Sequence, residues 1–242
     1  MKNGLNKSQI ERFSRQLVLK DIGAKGQKKI LSSKILIVGI GGLGCPAAEN
    51  LVRAGIGTIG LIDDDIVNLS NIHRQSLFNS KDLKKTKVSV AAKKLKEINP
   101  LTKIKTYKLR LNQNNIEKII RNYELIIDGS DNFKTKFLVN DYCIKFKKKL
   151  ITGAISKFDG HIFTFNFKNK KTSSLKSFYQ EKEISDDILN CEFEGVLGTT
   201  ASIIGATQAN EALKMIMEIG QNLENQILIV DLLNLNFRKV KF

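Results

Sequence analysis

The chain alternates between short apolar runs and amphipathic stretches along most of its length. Continuous apolar runs are typical of buried strands in a parallel sheet, whereas apolar residues three or four apart are typical of helices. This periodicity predicts helices at 85–98, from about Asn132, and at 195–217. The predicted strands are KILIVGI (34–40), TIGLID (58–63), KIKTYKL (103–109), ELIID (124–128), KLITGAI (149–155) and HIFTFNF (161–167).

Strands that alternate with helices predict an α/β fold with a Rossmann-like, doubly wound and mostly parallel sheet. The segments QILIVDLL and NFRKVKF close the chain, and they are predicted to form antiparallel strands. Residues 1–32 are predicted as N-terminal helices, and the polar segment 168–190 as a crossover loop. Since no repeat or linker interrupts the pattern, we expect 1–242 to form a single domain.

The composition predicts a globular protein of the cytoplasm. Hydrophobic residues make up 42% of the 242 residues, but they form no uninterrupted run long enough for a transmembrane helix. The N-terminus also lacks the apolar stretch of a signal peptide. The net charge of +16 comes from scattered lysines without a nucleic-acid motif. We interpret this charge as a compositional bias, with an acidic protein partner as the alternative, and we expect neither a nucleic acid nor a membrane as partner.

A glycine-rich loop follows the first predicted strand directly. Its glycines are Gly39, Gly41, Gly42 and Gly44, in the pattern GxGxxG, and a helix is predicted to begin there. Glycines let the backbone approach a phosphate closely, and the helix N-terminus attracts its charge. Asp63 ends the next strand, where a ribose-binding carboxylate is expected. This pattern predicts a nucleotide site, and taken alone it fits a dehydrogenase as well as an ATP-dependent enzyme.

Polar side chains after two strand ends favour ATP. Because parallel strands end at the same edge of a sheet, we expect these side chains to converge. Arginine and lysine suit phosphate oxygens, and an aspartate at a strand end suits Mg²⁺. Cations with a metal-binding acid fit phosphoryl chemistry better than hydride transfer. The side chains concerned are Asp65, Asn71, Arg74, Gln75, Lys87, Asp128, Ser130, Asp131 and Asn132.

From Arg12 onward the sequence resembles the MoeB/ThiF/HesA family of adenylyltransferases, which are relatives of ubiquitin-activating enzymes. Seven motifs in the family's order carry the resemblance, and they cover nearly the whole chain. They are RFSRQ, GIGGLG, DxDxVxxSNxxRQ, the lysine of TKVSVA, DGSDN, NCEFEGVLG and ATQANEALK.

The resemblance implies a role for several residues. Asp63 would hold the adenosine ribose, and Asp131 the catalytic Mg²⁺. Arg15 would reach into the other subunit of a homodimer. Cys191 stands at a family position whose cysteine joins covalently with the carrier protein in some relatives and is dispensable in others, so the resemblance makes it a candidate nucleophile. The residues that would bind the triphosphate are Asn71, Arg74 and Lys87.

The implied activity is ATP-dependent adenylation of the C-terminal Gly-Gly carboxylate of a ubiquitin-like sulfur carrier. We favour a MoeB-like enzyme of molybdopterin biosynthesis, with a ThiF-like enzyme of the thiamine pathway as the alternative. A sulfurtransferase or cysteine desulfurase would supply the sulfur afterwards. A NAD-dependent dehydrogenase and a non-catalytic scaffold that binds the carrier are more distant alternatives.

The chain departs from the family at the expected zinc site. Many relatives carry two CxxC pairs that hold a structural zinc, whereas Ser174 and Ser177 stand at the first of these positions here. Serine hydroxyls are poor zinc ligands beside thiolates. We therefore predict a member of the family without zinc.

Overall fold

The computed structural model describes residues 4–169, 172–179 and 195–241, and its centre is one mixed β-sheet. Within these residues the sheet has eight strands. They are β1 (Lys34–Val38), β2 (Thr58–Ile62), β3 (Lys103–Tyr107), β4 (Leu125–Asp128), β5 (Lys149–Ser156), β6 (Asp159–Asn166), β7 (Gln226–Asp231) and β8 (Asn236–Lys241).

The spatial order of the strands is β3-β2-β1-β4-β5-β6-β7-β8. The first five strands are parallel, and the pairs β5–β6, β6–β7 and β7–β8 are antiparallel. The parallel core with antiparallel C-terminal strands confirms the predicted fold class. The order reverses between β1 and β4, and such a switch point opens a crevice at the carboxyl ends of the two strands.

Helices cover both faces of the sheet. Alternate residues of β1 lie on opposite faces of the sheet. Ile35 and Ile37 pack with one apolar cluster, and Leu36 and Val38 pack with the other. The helices are α1 (Lys7–Arg12), α2 (Ser14–Leu17), α3 (Gly23–Ser32), α4 (Gly44–Ala54), α5 (Lys87–Ile98), α6 (Ile116–Ile120), α7 (Phe133–Lys145), α8 (Leu175–Phe178) and α9 (Gly198–Met217).

Helices α3, α4, α5 and α9 contribute to the first cluster, and α6, α7 and α8 to the second. Cys45 and Cys143 are fully buried, one in each cluster. Burial raises the pKa of Cys45 to about 12, so this thiol stays protonated and belongs to the core. None of the described helices is long and apolar enough to span a bilayer.

The predicted crossover loop is described only in part. Between residues 172 and 179 the chain forms the short helix α8, which the periodicity did not predict. Leu175 anchors this helix in the core, and its backbone N–H donates to Asn140 Oδ1 at 3.1 Å. Cys191 lies outside the described residues, so its predicted role stays a prediction.

Candidate nucleotide site

The glycine loop between β1 and α4 depends on two glycines that leave no room for a side chain. Gly39 has φ +85°, a conformation that L-residues rarely adopt. A Cβ on Gly44 would lie 1.9 Å from the carbonyl oxygen of Gly39. Gly44 therefore lets the helix pack tightly on the strand, whereas Gly39, Gly41 and Gly42 line the cleft.

The N-terminus of α4 faces this loop. Leu43 precedes the helix, and it makes no side-chain hydrogen bond to the first turn. Within that turn the N–H groups of Cys45 and Ala47 donate to the carbonyl oxygens of Gly41 and Leu43, and Pro46 has no N–H. The helix dipole beside the glycine loop is therefore what supplies partial positive charge. This combination favours a bound phosphate.

Asp63 follows β2 and holds the neighbouring loop in place. Its Oδ2 accepts from the backbone N–H of Ile40 at 2.7 Å, and its Oδ1 accepts from that of Asp65 at 2.9 Å. Burial raises the pKa of Asp63 above its ordinary value, and Lys87 and these two hydrogen bonds offset part of the rise. The carboxylate is thus fixed at the wall of the cleft, beside the glycine loop.

Lys87 stands at the first position of α5 and points its ammonium group into the cleft wall. The residue is only 5% exposed, and Nζ lies 2.9 Å from Asp65 Oδ2. The backbone N–H of Lys87 also donates to the carbonyl oxygen of Asp65 at 3.0 Å. Two contacts therefore hold a nearly buried positive charge in the cleft wall.

Arg74 and Asn71 come from the loop between β2 and α5. Arg74 Nη1 donates to the carbonyl oxygen of Ser70 at 2.9 Å and lies 2.8 Å from His73 Nε2. Asn71 is buried, and its Oδ1 accepts from the N–H of Asn68 at 3.0 Å. The two residues thus stabilise the turn that carries them, and both line the cleft.

Asp128, the last residue of β4, and Asp131, in the loop that follows, differ in how many hydrogen bonds their carboxylates already accept. Asp128 is fully buried, and its two carboxylate oxygens accept four hydrogen bonds from the protein. Asp131 is exposed in the cleft, where its Oδ1 accepts from Asn132 Nδ2 at 3.1 Å. Asn132 also caps α7, since its Oδ1 accepts from the N–H of Thr135 at 2.9 Å. Asp131 is therefore the aspartate of this pair that can serve an external cation.

The cleft that these residues line has a volume of about 790 Å³, which suits a small-molecule ligand. It lies at the switch point between β1 and β4, as the fold predicts. Three predicted site residues of the described chain do not line the cleft: Gly44 and Asp128 are buried beside it, and Arg15 is exposed on α2. The predicted residues that the cleft brings together are Gly39, Gly41, Gly42, Asp63, Asp65, Asn71, Arg74, Gln75, Lys87, Ser130, Asp131 and Asn132.

Gln75, one of the polar side chains that were expected to converge, also lines the cleft. Gln75 is 3% exposed, and its Oε1 is buried without a hydrogen-bond partner in the described part of the chain. An unpaired buried acceptor in a cleft wall is an unusual feature that a ligand or water would satisfy. Lys136, Arg110 and Phe133 also line the cleft. These three residues were not predicted as site residues, because no motif of the sequence includes them.

The residues fit a magnesium ion that accompanies a nucleotide. Mg²⁺ prefers oxygen ligands, keeps several waters, and needs one or two protein carboxylates beside the phosphates. Asp131 offers an exposed carboxylate within the cleft. The carboxylates of Asp63, Asp64 and Asp65 also lie within 4.8 Å of one another, but Asp65 is engaged with Lys87 and Asp63 with backbone N–H groups.

Fold and cleft define the class of protein: a Rossmann-like α/β protein whose cleft carries fixed cations and exposed carboxylates. Comparison with protein families narrows this class. Residues 13–242 match the model of the ThiF family, and the chain belongs to this family.

Similar proteins extend over nearly the whole chain. The sulfur carrier protein adenylyltransferase of Thermus thermophilus is 35% identical over 237 residues, covering 97% of this chain and 88% of the relative. The probable molybdopterin-synthase adenylyltransferase of Gracilaria tenuistipitata var. liui is 38% identical, with coverages of 99% and 66%. The adenylyltransferase and sulfurtransferase MOCS3 of Drosophila virilis is 40% identical, and the chain spans about half of it, with coverages of 98% and 52%.

Solved structures show the same fold. PaaA superposes with a TM-score of 0.85 at 21% identity, over 98% of this chain and 84% of PaaA. The structure of MccB from E. coli with ATP has a TM-score of 0.82 at 20% identity, over 98% and 72%. Identity this low shows the fold alone.

Family and relatives confirm the resemblance that the motifs indicated. The chain is an adenylyltransferase, and the names of its relatives agree with the predicted activity on a sulfur carrier. Membership of this family also implies the use of ATP. The roles of the individual site residues stay predictions.

Proposed function

We propose that this chain adenylates the C-terminal Gly-Gly carboxylate of a ubiquitin-like sulfur carrier, with Mg²⁺ as the cation that accompanies ATP. The observation that carries the proposal is the convergence of the glycine loop, Lys87, Arg74 and Asp131 on one cleft. These groups come from the segments that follow β1, β2 and β4, and they supply what an adenylate-forming site needs. Such a site requires a loop that can surround a phosphate, positive charge, and a carboxylate that is available to a cation.

Each group has a place relative to the nucleotide in this proposal. Asp63, beside the glycine loop, would accept from the ribose hydroxyls, while the glycine loop and the positive end of the α4 dipole would face a phosphate. Lys87 and Arg74 would bind the triphosphate oxygens. Asp131 would hold Mg²⁺, which neutralises charge on the phosphates.

The chemistry requires positioning and charge rather than a base. A carboxylate oxygen of the carrier forms a bond to the α-phosphorus, while the bond from that phosphorus to the bridging oxygen breaks. Pyrophosphate leaves with the electron pair, and the carrier becomes an acyl-adenylate. The attacking carboxylate is already ionised at neutral pH. A cleft that offers cations and lacks an activated nucleophile among its described lining residues suits this step.

The carrier is proposed to be that of the molybdopterin pathway. Support comes from the relative named as a molybdopterin-synthase adenylyltransferase, which covers 99% of this chain. A carrier of the thiamine pathway is the alternative, since both types end in a Gly-Gly tail. A sulfurtransferase or cysteine desulfurase would then convert the adenylate to a thiocarboxylate.

A homodimer that completes the site with Arg15 is part of the proposal. Arg15 is exposed on α2, and the adjoining residues Val18 and Leu19 are 74% and 52% exposed. Exposed apolar side chains next to a cation suit an interface between subunits. Mixing Arg15→Ala with Asp131→Ala protein tests this arrangement. Mixed dimers would regain activity if arginine acts across the interface, and no recovery despite subunit exchange would contradict it.

Carrier-dependent exchange of labelled pyrophosphate into ATP tests the activity itself. Both carriers would be offered with intact Gly-Gly ends, and we expect exchange with the molybdopterin-type carrier. Asp131→Ala should abolish exchange, whereas Glu97→Ala, an exposed carboxylate on α5, should not. Exchange with the thiamine-type carrier alone would select the alternative pathway. Absence of exchange with both carriers, despite ATP binding, would contradict the proposal.

A further inference from the structure

A buried ion pair lies directly beneath the loop that carries Asp131. Asp128 ends β4 and is fully buried, and Lys136 on α7 is 5% exposed. Lys136 Nζ lies 3.1 Å from Asp128 Oδ2. Lysine is almost never buried to this extent unless it is paired, because its desolvation is costly.

Hydrogen bonds saturate the carboxylate of Asp128. Its Oδ1 accepts from the backbone N–H of Ser130 at 3.0 Å and from the Ser130 hydroxyl at 2.6 Å. Its Oδ2 accepts from Lys136 and, at 2.6 Å, from the hydroxyl of Thr152 on β5. Asp128 thus has no oxygen left for a ligand, and its contacts point to a role in holding other residues.

Lys136 joins three elements at this point. Besides Asp128, its ammonium donates to the carbonyl oxygen of Gly153 at 2.7 Å, so α7 is tied to the ends of both β4 and β5. Gln208 on α9 adds a further tie, because its Nε2 donates to the carbonyl oxygen of Asp128 at 3.0 Å. The ion pair is therefore the meeting point of two strands and two helices.

The short loop between these anchored elements contains Asp131. It begins after Asp128, whose carboxylate also holds Ser130, and it ends at Asn132, the cap of α7. A shift of α7 relative to β4 would move Asp131 directly. Replacing a buried ion pair by apolar groups is often neutral or stabilising, so stability alone does not account for this pair.

We propose that Lys136 and Asp128 are positioning residues. They hold the Asp131 carboxylate in a fixed position beside the part of the cleft that would bind the phosphates. The role rests on the proposed function in so far as Asp131 binds the cation of a metal–nucleotide complex. Lys136 acts through the geometry of the loop. Its loss should weaken cation binding at Asp131 more than it weakens nucleotide binding without metal.

Mn²⁺ binding gives a readout that is separate from turnover. Mn²⁺ would be titrated into protein that holds α,β-methylene-ATP, and free Mn²⁺ measured by electron paramagnetic resonance. We expect Lys136→Met to lower the Mn²⁺ affinity by roughly tenfold, the lower end of the range for residues that orient metal ligands. Lys136→Arg, which keeps the charge and donors, should restore most of it. Lys145→Met removes an exposed lysine of the same helix and should have no effect.

Thr152→Val tests the same proposal if Lys136→Met fails to fold, because it removes one hydrogen bond to Asp128 and leaves the ion pair intact. A several-fold lower Mn²⁺ affinity with unchanged metal-free nucleotide affinity would support the proposal. Unchanged Mn²⁺ affinity in folded Lys136→Met or Thr152→Val protein would overturn it. If the wild type binds Mn²⁺ and nucleotide but exchanges no pyrophosphate, adenylation fails as the function while the positioning role is still decided by the variants.

Discussion

Lys87 and Asp65 form an ion pair whose two partners have opposite surroundings. Their closest atoms lie 2.9 Å apart, and the side chains are 7% and 65% exposed, respectively. The ammonium is thus held nearly buried in the cleft wall, whereas the carboxylate is largely exposed to solvent. A phosphate entering the cleft meets a cation that is already in place, so little side-chain entropy is lost on binding.

Lys87→Met should lower the affinity for ATP by between about 10-fold and 150-fold, because hydrogen bonds to charged groups contribute about 1.5–3 kcal/mol. Isothermal titration calorimetry measures the effect. Lys93→Met, at an exposed lysine of the same helix, is the matched control. Equal ATP affinity in Lys87→Met and wild-type protein would remove Lys87 from the proposed phosphate site.

Asp65→Asn should have a smaller effect on ATP affinity than Lys87→Met. The amide oxygen of asparagine still accepts a hydrogen bond from Lys87, so the ammonium keeps its position. The same titration compares the two variants. A larger loss in Asp65→Asn would show that Asp65 itself contacts the nucleotide or its metal.

The carboxyl group of Asp63 should destabilise the fold increasingly as pH rises. Its pKa in the folded protein lies above the value of 3.8 expected for an unfolded chain, chiefly because of burial. The folded state therefore binds the proton more tightly, and the associated stability is fully present below pH 3.8 and is lost as pH rises through the raised pKa.

Urea unfolding of wild-type and Asp63→Asn protein at acid and neutral pH tests this linkage. Relative to the wild type, the asparagine variant should gain free energy of unfolding as the pH is raised from acid to neutral. Asparagine carries no titrating group, so the comparison isolates Asp63. A shift in favour of the wild type would contradict the raised pKa.

Two alanine substitutions in the glycine loop should separate folding from ligand binding. Gly44→Ala places a Cβ 1.9 Å from the carbonyl oxygen of Gly39 and should destabilise the protein by about 3 kcal/mol. In Gly41→Ala the nearest atom to the new Cβ is Gln75 Nε2 at 3.7 Å, an ordinary contact. We expect Gly41→Ala to fold normally and to bind ATP more weakly, which thermal unfolding and calorimetry would show. Equal stability of the two variants would contradict this distinction.

The segment with Ser174 and Ser177 should be held by packing. Leu175, 1% exposed, anchors α8, so Leu175→Ala should lower the free energy of unfolding by about 2–4 kcal/mol. A zinc chelator should leave the melting temperature unchanged. The hydroxyls of the two serines lie 3.3 Å apart and cap this short helix, a role that needs no metal. A clear drop in melting temperature with chelator would refute the zinc-free prediction.

Local patterns were sufficient to predict most of the fold. A continuous apolar run such as that of β1 has few conformations that bury every side chain, and a parallel strand is one of them. The glycine loop and Asp63 were predicted for a related reason, because their spacing along the chain is set by one strand, one turn and one helix. Helix α8 was missed since four residues carry no periodicity, and its position depends on the burial of Leu175.

By itself, the sequence determined the parallel α/β architecture, the nucleotide loop, the family and the residue types available for phosphate and metal. Only the tertiary structure decided which of those residues pair with each other and which are exposed. It pairs Lys87 with Asp65 across 22 positions and buries Asp128 with Lys136, leaving Asp131 exposed. Periodicity reports the environment of each element alone, whereas such pairings depend on the distances between elements that packing brings together.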